Sequence, residues 1–159
     1  MNFLAVSFKF LSLLGGFATV GVILSMAFLL LDHEGKLSTS GEKLRTIFKI
    51  SATVWLVGAL GNIVFTLAQI LATPLSGALD LTVLRSFITQ TALGKSYAIN
   101  ILSAVLVLLL TPRMKRTTGA IFGLIFTFIG VLAPVFQSHS SSSGNHGLAI
   151  GSLLRSEER

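Results

Sequence analysis

A chain of 159 residues is the size of one ordinary soluble domain, yet 52% of it is hydrophobic and only 11% charged, against about 25% charged in globular domains. Mean hydropathy is +0.84, and the apolar residues fall in long unbroken blocks, which excludes disorder and marks a membrane protein. The formal net charge of +6 does not point to nucleic acid, because most Lys and Arg lie between apolar blocks, where they orient helices. Cysteine is absent, so no disulfide or thiolate metal site exists and no redox compartment can be inferred.

The first apolar block runs from Phe10 to Leu31, about the 20 residues needed to cross a hydrocarbon core. A signal-peptide core is shorter and ends at a small-residue cleavage site. This block ends Leu29-Leu30-Leu31-Asp32 and is therefore a retained span. Asp32 to Ile47 is polar, with Ser38, Thr39 and Ser40 available as helix caps ahead of Glu42. A second span follows over about 50–72, with Pro74 just past its end.

Between Pro74 and Gly94, Leu75, Leu79, Val83 and Phe87 recur four apart with Leu84 and Ile88 beside them, while Asp80, Arg85 and Thr89 take the other side. That spacing predicts a short amphipathic helix at the membrane surface or across the helix ends. A third span covers about 94–111, with Lys95 snorkelling and Tyr97 at anchor depth. Pro112 to Arg116 makes a tight basic connection, and a fourth span covers 119–136, with Pro134 bending its final turn. Gly58 with Gly61, and Gly119 with Gly123, offer notches for close helix packing within the chain.

The predicted fold is thus all-α: an integral membrane bundle of four transmembrane helices plus a short amphipathic interfacial helix, over residues 1–136, with a polar tail over 137–159. Blocks of this length are too long and too uniformly apolar for barrel strands. Lys36, Lys43, Arg45, Lys49, Arg113, Lys115 and Arg116 share one side, against Lys9, Arg85, Lys95, Arg155 and Arg159 on the other. The positive-inside rule then puts both termini outside the cytoplasm.

No span contains Asp, Glu or His, the residues that mark proton relays, ion pathways and haem ligation in membranes. The amides within spans are Asn62, Gln69 and Asn100, expected to form interhelical hydrogen bonds of about 0.6–2 kcal/mol. No nucleotide loop, nucleophile elbow or catalytic carboxylate pair is present, so an enzyme is not expected.

The distinctive segment is Gln137-Ser138-His139-Ser140-Ser141-Ser142-Ser143-Gly144-Asn145-His146-Gly147, directly after the fourth span. In a helix the two imidazoles would stand about 10.5 Å apart along the axis, too far to share one ion. The serines, Gly144 and Asn145 favour a reversal that would let His139 and His146 converge on copper or zinc. On residue types alone a solvated tail is the simpler reading, since two histidines do not complete a four-coordinate shell. His33, within Asp32-His33-Glu34, is read as a solvated loop residue, and Met26 as packing.

The order of segments, and above all His139 to Leu154, resembles the amino-terminal part of the copper resistance D (CopD) family, in its actinobacterial form. In that family the span before the motif ends in a histidine, followed by small residues, an acidic or amide residue with a second histidine, and a small, apolar run. Pro74-Leu75-Ser76 and Leu93-Gly94-Lys95 also look like family positions. The resemblance implies copper uptake or delivery across a bacterial cytoplasmic membrane, with copper ion bound by His139 and His146 on the outer face. Family members continue into a further histidine-bearing helix, whereas this chain ends Arg155-Ser156-Glu157-Glu158-Arg159. The expectation is a truncated or split product whose remaining ligands come from a missing carboxy-terminal half or another membrane subunit. The rival reading is an accessory subunit of a respiratory or assembly complex, embedded in the lipid bilayer, with no metal role.

Overall fold

The structure, a computed structural model, describes residues 2–26, 39–113 and 118–136, all of it helix and connecting turn. In chain order the helices are α1 (Asn2–Leu24), α2 (Thr39–Leu71), α3 (Leu75–Ala78), α4 (Leu81–Gln90) and α5 (Ala92–Leu110), then α6 (Thr118–Phe136). Four stretches are long and apolar enough to cross a membrane: Phe3–Leu24, Lys43–Leu71, Ala92–Arg113 and Thr118–Phe136. Large apolar side chains such as Phe10, Leu14 and Phe17 on α1 and Phe122, Ile125 and Ile129 on α6 face outward. A soluble monomer rarely exposes so much contiguous apolar surface; here it faces lipid, where the backbone is satisfied within each helix.

Two helices start earlier than the hydropathy pattern indicates. That pattern opens the first span at Phe10, but α1 begins at Asn2 and carries Lys9 inside it. One ammonium on a flexible stem does not interrupt the backbone ladder, and apolar residues flank it on both sides. It opens the second span at about residue 50, but α2 begins at Thr39, among the cap residues before Glu42. Its 33 residues make a rod of about 50 Å, longer than a roughly 30 Å hydrocarbon core. Lys43, Arg45 and Lys49 therefore stand on a helix instead of in a loop.

The surface segment also differs in detail. The expected single helix is two, broken at Leu79 and Asp80, because the Asp80 carboxylate turns back to accept from the Thr82 N–H (2.7 Å) and starts α4 afresh. Val83, Leu84, Phe87 and Ile88 pack against Ile63, Leu67 and Tyr97, so α4 lies against the ends of α2 and α5. Leu75 and Leu79, expected on the same apolar face, are exposed. The turn into α5 is tight: a Cβ on Gly94 would overlap the Phe87 carbonyl, and the Thr91 hydroxyl accepts from the Gly94 N–H (2.9 Å).

At the end of α2, Ala72 takes a left-handed φ of 51°. The Thr73 N–H then reaches the Ala68 carbonyl (3.2 Å) and the Ala72 N–H the Gln69 carbonyl (3.3 Å), the pairing that closes a helix before Pro74.

Helices α1 and α2 run antiparallel with little between them. Moving up α1, Phe8 meets Gly61, Ser12 meets Gly58 and Gly15 meets Trp55, at the three- and four-residue spacing of packed ridges. Phe8 also stacks on Phe65, with centroids 5.1 Å apart. Further along, the Thr19 hydroxyl donates to Ser51 Oγ (3.1 Å). Beyond it, Ile23, Met26, Phe48 and Val107 are fully buried in one apolar cluster that also takes in Ala120.

Candidate functional site

The two ends of the bundle differ in kind. One is filled by the Ile23–Met26–Phe48 cluster. The other, where α1 begins, α2 ends, α5 begins and α6 ends, contains two cavities of about 330 and 980 Å³. Lys9, Asn62 and Tyr97 line both, so the two adjoin. Among the described residues Lys9 is the only charged side chain in either wall; no carboxylate faces it there.

The smaller cavity is built around a broken helix ladder. Pro134 stands four residues after Gly130 on α6, where a helix needs an N–H to reach the Gly130 carbonyl, and proline has none. Asn100 supplies it from α5, its Nδ2 donating to the Gly130 carbonyl at 2.6 Å. Membrane helices tolerate proline when a neighbour re-satisfies the freed group in this way. Asn100 also joins two helices, in keeping with its position within an apolar span. Gly130 is small because a Cβ there would lie 2.7 Å from the Trp55 ring, with Ser103 on its other flank.

This arrangement uses the donor of Asn100 and leaves its acceptor. Both Asn100 Oδ1 and Trp55 Nε1 are buried without a partner among the described residues, and both side chains line the smaller cavity. Thr73 Oγ1, in the wall of the larger one, is in the same condition. Each unsatisfied buried polar group costs about 1–3 kcal/mol, so three around one pair of cavities mark it as a place for polar occupants. Asn62 differs: its Oδ1 accepts from the Thr66 hydroxyl (3.4 Å), which stands 3.4 Å from the Tyr97 hydroxyl. The amide hydrogens of Asn62 are what it offers the cavity.

His139 and His146 lie outside the described residues, as do His33, Asp32 and Glu34. Phe136, three residues before His139, ends α6 at the cavity end of the bundle. Among the described residues no group of His, Cys, Asp or Glu is suited to hold a metal ion. The cavity walls offer amide, hydroxyl and ammonium groups, a poor match for copper, which prefers imidazole and sulfur. Met26, the one sulfur buried in the described core, sits in the apolar cluster at the opposite end. Sequence reasoning missed Lys9, Trp55 and the cavities. The signal it held was a proline four residues past a glycine on one span and a lone amide on another.

A family model described as copper resistance protein D-like, N-terminal domain, matches residues 1–148. No curated protein and no solved structure matches the chain.

Proposed function

Because the chain belongs to the copper resistance protein D-like family, matching its N-terminal domain over residues 1–148, we propose that it takes up or delivers copper across a bacterial cytoplasmic membrane. The matched stretch includes both His139 and His146, and this carries the reading. We assign these imidazoles as the copper ligands. Neutral imidazole suits copper, whereas nothing in the cavity walls does. A pair of imidazoles leaves coordination positions for donors from a second copy, another membrane subunit or a carboxy-terminal partner domain. In this reading copper is cargo, the chain is not an enzyme, and both termini face out of the cytoplasm.

The test is copper titration of the purified full chain against the double variant His139→Ala, His146→Ala. Marked weakening of binding is expected; equal affinity overturns the assignment. Orientation is open to a clean experiment because the native chain has no cysteine. Ser138→Cys in intact cells is expected to react with a membrane-impermeant maleimide, and Lys43→Cys is not. The reverse pattern inverts the topology.

An accessory membrane subunit without a metal role is the second reading. It is favoured by the acid-free, histidine-free span interiors and by cavity walls that lack copper ligands. Wild-type chain that binds no copper in the titration selects it.

A further inference from the structure

We propose that the cavity between Lys9, Asn62 and Trp55 is a binding site for a small inorganic anion, entered from the end of the bundle that carries Lys9. This does not rest on the copper reading, since it concerns described residues that hold no copper ligand.

The wall decides the sign of the occupant. Among the described residues Lys9 contributes the single charge in either cavity wall, and it is exposed, so anions gather at that mouth and cations are repelled. The side chains that line it otherwise carry mainly donors: Trp55, whose buried Nε1–H has no partner among the described residues, and Asn62, whose amide oxygen accepts from Thr66. The hydroxyls of Ser12 and Tyr97 share the wall and can turn to donate. Asn100 Oδ1 is the exception, an acceptor kept free because Nδ2 is committed to the Gly130 carbonyl. A water carried in with the anion satisfies it, donating one hydrogen to Oδ1 and the other to the ion. A volume of about 330 Å³ admits an ion with several waters. A bare cation would meet the Lys9 ammonium at the mouth and leave the donors unpaired, and an apolar molecule would leave the buried donor and acceptor unpaired.

Trp55 is the chain's only tryptophan, so tryptophan fluorescence comes from a single ring that lines this cavity. The full chain in phosphatidylcholine nanodiscs is titrated with potassium iodide at ionic strength held by potassium gluconate. Quenching that saturates, that chloride competes away and that caesium does not reproduce is the expected result. Lys9→Gln is expected to lose the saturable phase while keeping its quenching by neutral acrylamide, and Lys9→Arg to retain both. Acrylamide also guards against misfolding, because an opened bundle would expose the fully buried Trp55 and raise that quenching above the wild-type value, whereas a collapsed cavity would lower it. Iodide quenching that is absent, no stronger than that of caesium, or unchanged in Lys9→Gln overturns the proposal; acrylamide quenching alone would mean a cavity that holds only water.

Discussion

Two seams run through this bundle, and they are closed by opposite means. Between α1 and α2 the side chains have been removed: Gly15 lies against the Trp55 backbone and Gly58 against Ser12, so main chain meets main chain. Between that pair and α5–α6 the contact is made by long side chains and directed bonds, with Trp55 wedged against Gly130 and Asn100 reaching the Gly130 carbonyl. From the Gly15–Trp55 contact to the Phe8–Gly61 contact the first seam has no room for anything else. The second is sealed by apolar packing at one end and opens into the smaller polar cavity at the other, while the larger cavity lies past the close-packed stretch of the first, walled mainly by α1 and the end of α2. Lipid tails are as apolar as leucine, so helices in a membrane are held by close fit or by hydrogen bonds. Where close fit is used the interior is dry, and where hydrogen bonds are used a cavity can persist beside them.

The largest expected effect tests the first seam. Gly58→Val would place Cβ onto the Ser12 backbone, with its Cα only 2.7 Å away. No rotamer relieves an overlap with main chain, so α1 and α2 must separate, at a cost of about 3 kcal/mol, the upper part of the usual range for overpacking. Reversible unfolding in mixed micelles measures it. Gly21 gives the control, since a Cβ added there would meet nothing within 4 Å, and Gly21→Ala is expected to be neutral or to stabilise by up to about 1 kcal/mol. Equal effects at the two glycines would show that the close fit at Gly58 carries no special weight.

The second seam breaks at its hydrogen bond. Asn100→Leu removes the donor that replaces the missing N–H of Pro134 and leaves the Gly130 carbonyl unpaired, with an expected cost of about 1–2 kcal/mol. Pro134→Ala restores the N–H, so most of the loss should vanish when Asn100→Leu is made in that background. A double-mutant cycle reads this as a coupling energy. Additive costs would mean that the amide is not standing in for the backbone.

How much of this could be foreseen depends on which seam is considered. Helix existence follows from uninterrupted apolar runs, and Gly58 and Gly61 are legible as notches because small residues three apart on a span permit close approach. Their partners are not legible: that Gly58 meets Ser12 and that Gly130 seats Trp55 is set by how helices distant in sequence come together. Helix ends are misjudged where charge is taken for a boundary. Lys9 and Lys49 interrupt hydropathy, but they leave the backbone hydrogen bonds of α1 and α2 untouched. The cavities belong to no segment. They arise where the ends of several helices meet, the smaller beside Pro134 and the larger beside Pro74, so no single run of residues announces them.

The smallest effect is the one that can undo the contrast, because it removes a hydrogen bond from the seam held by close fit. Thr19 is fully buried, and its hydroxyl lies 3.1 Å from Ser51 Oγ across the α1–α2 contact and 2.7 Å from the Gly15 carbonyl of its own helix. Thr19→Val keeps the shape and deletes that hydroxyl. Ser51 remains satisfied, since its Oγ donates to the Phe48 carbonyl at 3.0 Å, and the Gly15 carbonyl keeps its place in the helix ladder. Nothing buried is orphaned, so the cost should be about 0.6 kcal/mol, the average for a hydrogen bond between membrane helices, and below that of Asn100→Leu measured in the same micelles. A loss at Thr19 as large as the loss at Asn100 would mean that directed bonds hold both seams alike. The close approach of α1 and α2 between Phe8 and Gly15 would then need an explanation other than the glycines that line it.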